Sequence, residues 1–280
     1  VAHLEGNRGA SSPKLAYLIL GKTLKIRFPR TTSTASIAIA MALLLMWEVV
    51  VRSQVISVFY FPAPSFIAKT FWQMLSDGTL IEHVQATLFR LFAGLLVGSL
   101  PGLLLGLAMG WSRKLREVVD PFIAAVHPLP KIALLPLIMV IFGVGNTSLV
   151  IVAAAAAFFP MLINTMAGVR HINPIYFEVA RNYRATRGKV FRRVVVPGSL
   201  PSILTGLRLA VNTTLLVTVA VEMVSAHRGL GAMIWMTWNT MRMEEIYVAL
   251  LTITLLGIIF TLCLQRLGTR LTPWHVERSG

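Results

Sequence analysis

The sequence predicts an all-α integral membrane protein of six transmembrane helices, with a long basic loop between helices 4 and 5. Three observations carry this. Of 280 residues, 56% are hydrophobic and 13% charged, a balance that soluble domains of this size do not approach. Six apolar runs come close to the roughly 20 residues a helix needs to cross the hydrocarbon core. Basic residues collect in alternate connecting segments, as the positive-inside rule requires. Six crossings leave about half the chain for loops, so no sizeable soluble domain fits.

The elements follow in order. Residues 1–34 are a polar tail with six Lys and Arg, residues 35–266 a six-helix transmembrane domain, and residues 267–280 a second tail. The first apolar run, Ala35–Val51, does not end in a small-residue cleavage pattern and reads as a retained span, not a signal peptide. Further spans are expected at Leu91–Trp111, Phe122–Phe142, Ser148–Val169, Ile203–Ser225 and Ile246–Gln265. The third holds His127, Pro128, Pro130, Lys131 and Pro136, so it is expected to kink, with its irregular backbone covered by protein or a cavity.

With the N-terminus cytoplasmic, segments 1–34, 112–121, 170–202 and 266–280 carry 19 of the 26 Lys and Arg, while 52–87, 143–147 and 226–245 carry four. Both termini are therefore expected inside. The same asymmetry accounts for the net charge of +15, and nucleic-acid binding is not needed to explain it. Arg90, Lys131 and Arg208 remain near or within spans. Lys131 is expected to snorkel to the inner surface, and Glu48 with Arg52 has the spacing of a helical ion pair.

Between spans one and two, Phe61-Pro-Ala-Pro64 precedes Phe66, Ile67, Thr70, Phe71, Met74 and Leu75, the spacing of an amphipathic helix. It either lies along the outer interface or packs on the bundle. In span two, Gly94, Gly98, Gly102, Gly106 and Gly110 recur every four residues, placing small residues on one face that is expected to meet another helix closely. Pro101 is expected to bend this helix. Span five carries Asn212, Thr213, Thr214, Thr218 and Glu222, too polar for a lipid face. Asn212, Thr214 and Thr218 either line a route for an oxyanion or bond between helices. Glu222, which would repel an anion, is expected to have a structural or gating role, hydrogen-bonded to backbone or to the Gly229–Gly231 turn.

Chemistry-bearing motifs are few. The six histidines are scattered without ligand spacing, Cys263 is the sole cysteine, and no G-x-x-x-x-G-K-[ST] string occurs. No metal or nucleotide site is expected in this chain, and no catalytic residue is assigned.

The loop between spans four and five runs from Asn173-Pro174 through Glu178-Val-Ala180 to Val194-Val-Val196-Pro197. Asn173-Pro174 reads as a helix start, with Tyr176, Val179, Ala180 and Tyr183 on an apolar face. Pro197 and Pro201 are expected to limit helix continuation before span five. On composition alone this is either a docking element or an ordinary positive-inside loop. The stretch resembles the coupling loop of ABC-importer permeases, which runs E-A-A, three residues, G, nine residues, I-x-L-P. One position departs: the family's glycine is Arg184 here, with Gly188 soon after. Arginine there costs little if its dihedrals are ordinary, and more if φ is positive.

The resemblance extends along the chain through Phe61-Pro-Ala-Pro64, His127-Pro-Leu-Pro130, Phe142-Gly-Val-Gly145, Thr205-Gly-Leu-Arg208, Glu222-Met223, Gly229-Leu-Gly231, Ile234-Trp235, Trp238 and Pro273-Trp274. These strings are similar to the nitrate, sulfonate, taurine and bicarbonate group of such permeases. The resemblance implies a non-catalytic subunit in a bacterial inner membrane, paired with a second permease. A separate ATPase dimer would carry ATP and Mg, and an extracytoplasmic binding protein would deliver a small solute, an oxyanion such as nitrate, sulfonate, taurine or bicarbonate. It also implies that Glu178, Ala180, Arg181, Arg184 and Gly188 couple to the ATPase, and that Asn212, Thr214 and Thr218 line the pathway. Related permeases also carry neutral or cationic vitamin precursors. A secondary transporter or channel would show paired broken helices or buried acid-base relays, and a membrane enzyme would show clustered carboxylates or histidines. Neither pattern is present.

Overall fold

The computed structural model describes residues 32–54 and 56–274, so most of tail 1–34 and the end of tail 267–280 lie outside the described residues. The chain forms two compact units, Val1–Val50 and Val51–Gly280. In the first, the described residues belong to helix α1, Thr32–Arg52. The second holds α2 (Pro64–Ser76), α3 (Thr79–Trp111), α4 (Arg113–Val126), a 3-10 turn (Lys131–Leu134), α5 (Leu135–Phe142), α6 (Asn146–Arg170), α7 (Pro174–Asn182), α8 (Arg187–Val190), α9 (Val196–Ser225), α10 (Leu230–Asn239) and α11 (Met243–Leu271). No strand occurs among the described residues.

Five helical segments are long and apolar enough to cross a membrane: Ala35–Arg52, Thr79–Trp111, Asn146–Arg170, Arg187–Ser225 and Met243–Leu271. A sixth crossing is formed if Arg113–Val126 and Lys131–Phe142 count as one span, which bends by 86° at its break. Pro128 and Pro130 stand in that break, where neither can donate a backbone hydrogen bond. Lys131 opens the 3-10 turn beyond the break. Its ammonium turns back to the His127 carbonyl and lies 4.9 Å from the Phe159 ring centroid, and the His127 ring stacks on the same phenyl at 5.2 Å.

Two boundaries differ most from expectation. Helix α3 starts at Thr79, twelve residues before the apolar run, with Asp77 Oδ1 accepting from Thr79 N at 2.9 Å and Thr79 Oγ1 at 2.7 Å. Those hydrogen bonds hold the Asp77 carboxyl below its ordinary range. Ahead of span five, Pro197 and Pro201 do not stop the helix. Phe191–Val195 form a π turn in which Val196 N–H reaches the Phe191 carbonyl, and the helix runs on from Arg187 to Ser225. The ladder thus shifts register just before Pro197, which has no N–H to give.

The core lies where α3, α6 and α9 meet. Glycines on α3 let the backbones of α3 and α6 approach. A Cβ built at Gly102 would lie 2.7 Å from Phe158 O, one at Gly106 2.7 Å from Leu162 O, and one at Gly94 or Gly110 2.6 or 2.5 Å from the Cβ of Ala153 or Val169. At Gly98 it would strike the Ala154 carbonyl. Leu91, Leu95, Ala157, Ala210, Val211 and Leu215 fill the space between the three helices. Helix α2 packs on the bundle through Ile67 and Met74, and Thr70 Oγ1 donates to Glu244 Oε2 at 2.8 Å.

Candidate functional site

Two features bear on function, one buried and one exposed. The buried feature centres on Glu222, which is wholly enclosed. Its Oε1 accepts from Arg90 Nη1 at 2.6 Å, and its Oε2 accepts from Thr87 Oγ1 at 2.9 Å and from Gly231 N at 3.1 Å. Arg90 Nη1 also donates to the Arg228 carbonyl at 2.5 Å and Nε to Asn146 Oδ1 at 2.9 Å, while Thr87 Oγ1 accepts from Leu230 N at 2.8 Å. His83 Nδ1 lies 2.9 Å from Gly229 O.

Helix spacing explains the set. His83, Thr87 and Arg90 are four and three residues apart on α3, hence on one face. The Gly229-Leu-Gly231 turn folds over Glu222 because no side chain intervenes: Gly229 has φ +130°, and a Cβ there would lie 2.5 Å from both carboxylate oxygens. The cluster joins α3, α9, the α9–α10 turn and the start of α6 into one hydrogen-bonded knot. Sequence reasoning linked Glu222 to the Gly229–Gly231 turn but missed Arg90, its ionic partner 132 residues away.

The three pathway candidates do not share a surface. Asn212 is exposed and opens on a groove of about 350 Å³ with Thr254, Gly257 and Thr261 of α11. Thr214 and Thr218 are wholly buried, and their hydroxyls have no hydrogen-bond partner. At 100° per residue Thr214 stands about 200° round the helix from Asn212, so the two threonines face the interior while Asn212 opens on the groove.

The exposed feature is the α7–α8 loop. Asn173 Oδ1 accepts from Ile175 N at 3.0 Å and Pro174 takes the first turn, which starts α7. Phe177 faces inward against Trp111, 6.4 Å between centroids, and Phe191 meets the same indole at 5.9 Å. Outward point Tyr176, Val179 and Tyr183, the last 84% exposed. Glu178, Arg181, Arg184 and Gly188 are exposed and Ala180 half-buried. Helix α7 ends in a Schellman turn, with Arg184 N donating to Arg181 O and Ala185 N to Ala180 O, both at 2.9 Å. Its left-handed residue is Arg184, φ +49°, so the position that is glycine in the resembling loops needs a positive φ here. Gly188 sits in α8 with open space around it and does not take over that role. Arg184→Gly is therefore expected to stabilise the fold by about 1 kcal/mol, since L-residues in this region cost about 1–2 kcal/mol. A thermal midpoint in detergent that fails to rise would show that the arginine is held by more than its backbone.

Comparison with known proteins agrees with this architecture. Residues 98–275 match the family of binding-protein-dependent transport system inner membrane components. The chain is 34% identical over 262 residues to the taurine transport system permease protein TauC of Escherichia coli, covering 91% of this chain and 95% of that protein. It is 28% identical over 235 residues to the putative aliphatic sulfonates transport permease protein SsuC of Bacillus subtilis, covering 84% and 85%. It is also 34% identical over 237 residues to the riboflavin transport system permease protein RibX of Chloroflexus aurantiacus, covering 85% and 88%. Among solved structures, an inward-facing conformation of the MetNI methionine ABC transporter shares the fold, with a TM-score of 0.62 at 20% identity over 69% of this chain and 96% of that one. Matched over most of its length, the chain belongs to the binding-protein-dependent transport system inner membrane component family: it is a multi-pass membrane permease of an ABC transporter.

Proposed function

We propose that this chain is the membrane-spanning subunit of an ATP-driven importer for a small sulfonate such as taurine. It would pair with a second permease, a cytoplasmic ATPase dimer carrying ATP and Mg, and an extracytoplasmic binding protein. The exposed α7–α8 segment carries the reading. It is a capped helix anchored from beneath by Phe177 and presenting Tyr176, Val179 and Tyr183 outward beside unpaired Glu178 and Arg181, an arrangement suited to a partner's cleft. Identity alone does not separate a sulfonate from a vitamin, since TauC and RibX stand at the same 34%. The large cavity of the chain favours the anion, because Arg193 and Arg208 line it and, among the described residues, no acid does.

Both termini and the α7–α8 loop are assigned to the cytoplasm on the asymmetry of basic residues. In a Cys263→Ser background, a membrane-impermeant thiol reagent should reach Gln73→Cys but not Lys189→Cys in intact cells. The reverse pattern would invert the topology.

Transport would proceed by alternating access. ATP-driven closure of the ATPases moves the loops seated on them, and rigid-body shifts pass into α9, which continues from α8 without a break. Glu178, Ala180, Arg181, Arg184 and Gly188 would form the coupling surface, and Asn212 would face the pathway. Glu178→Arg should leave membrane insertion intact, because an added inner charge reinforces the orientation. Uptake and ATPase copurification should then fall together by about tenfold or more, as expected when like charge meets a desolvated contact. Unchanged uptake with the ATPase still bound would remove the coupling role from this segment.

A further inference from the structure

A cavity of about 1160 Å³ opens between the end of α6, the start of α9 and the end of α11. Three basic side chains line it: His171, Arg193 and Arg208. Among the described residues, none of the three makes a side-chain hydrogen bond or ion pair, and no Asp or Glu lines the cavity. Arg208 stands about 8 Å along α9 from Ile203, where span five is expected to begin, and its Nε is buried without a partner. An unpaired guanidinium this far inside a membrane helix is costly, and such groups mark binding or transport sites or find a counter-charge.

The other polar liners suit an anion. Thr205 stands one turn before Arg208, Gln265 of α11 faces the same space, and Trp274 closes the edge. Guanidinium, amide and hydroxyl donors converging without a competing carboxylate fit a tetrahedral oxyanion, which Arg can hold through two parallel bonds. The volume exceeds what a small free anion fills, and Ile172, Leu204 and Trp274 add apolar wall.

We propose that this cavity binds a tetrahedral oxyanion through Arg208, with Arg193 and His171 at its rim, as a site separate from the Arg90–Glu222 knot and bordering the α7–α8 docking surface at Tyr176. A phospholipid headgroup and a free sulfonate or sulfate both bring that chemistry, and basic pockets between membrane helices commonly take the former. The inference does not depend on the transport reading.

The test uses the purified full chain in an uncharged detergent, titrated with phosphatidylglycerol and, separately, with sodium sulfate or taurine. Bound lipid is counted by native mass spectrometry and anion binding by the shift in thermal midpoint. Arg208→Gln should weaken binding of one or both ligands roughly tenfold, the loss of one charged hydrogen-bonded contact. Arg208→Lys should recover part of it, and Arg113→Gln on α4 should change nothing. Phosphatidylglycerol retained by the parent chain and not displaced by millimolar sulfate identifies a lipid site. Binding of sulfate or taurine, lost in the variant, identifies a free-oxyanion site. Should Arg208→Gln fail to fold, Arg193→Gln and His171→Gln at the rim carry the same comparison. Equal binding by the parent chain and all three variants, or no binding of any of these anions by the parent chain, would overturn the proposal.

Discussion

Arg90→Leu and Glu222→Leu are each expected to destabilise the chain by about 3–5 kcal/mol, because either change leaves the opposite charge buried without its ionic partner. Glu222 would keep only Thr87 and the Gly231 amide, and Arg90 only two neutral oxygens. In a domain of this size such a loss lowers the thermal midpoint by about 10 °C or more. The double change Arg90→Leu, Glu222→Leu should be milder than either single one, since a buried pair replaced by apolar side chains is often close to neutral. Midpoints of the four proteins in one detergent form the cycle. Additive losses would mean that the two charges act independently and that no ionic knot ties α3 to α9.

Gly98→Leu should have the next largest effect. Its Cβ alone would meet the Ala154 backbone, with Cα at 2.9 Å and C at 2.8 Å, and backbone cannot step aside as a flexible side chain can. Separating α3 from α6 loosens the most extensive helix contact among the described residues, so the cost falls at the top of the overpacking range, about 3 kcal/mol or more. Gly198→Ala is the control, because its Cβ would meet only the Ile172 side chain, with Cδ1 and Cγ1 both at 3.1 Å, and no backbone. Detergent-stable yield compares them, and equal yields would mean that α3 and α6 can reseat without the glycine contact.

The spans were legible because lipid imposes a simple rule: a crossing helix must be long and apolar. That rule misplaced the start of α3. Residues 79–90 include Glu82, His83, Thr87 and Arg90, and hydropathy reads such a stretch as loop, whereas here Thr87 and Arg90 are turned inward onto Glu222 and the Gly229–Gly231 turn. The prolines misled in the opposite sense at Pro197, where a π turn carries the helix past the missing donor. The four-residue recurrence of glycine showed a packing face directly, since i, i+4 positions stack on a helix. Partnership between Arg90 and Glu222 had no such local period, because only the tertiary fold brings them together. Asn212, Thr214 and Thr218 looked alike as polar residues in one span, and only packing separates the exposed amide from the two enclosed hydroxyls. At Arg184 the loop pattern marked an unusual position, and the backbone supplies the reason in its left-handed φ.

The measurement that tests the central claim most directly is uptake of labelled taurine into proteoliposomes holding this chain, its ATPase and its binding protein, with ATP or a non-hydrolysable analogue enclosed. Uptake that needs hydrolysable ATP, the ATPase and the binding protein together is the predicted result. Uptake by this chain alone, driven by an ion gradient or running down the taurine gradient without ATPase, would show a self-sufficient transporter or channel and contradict the assignment.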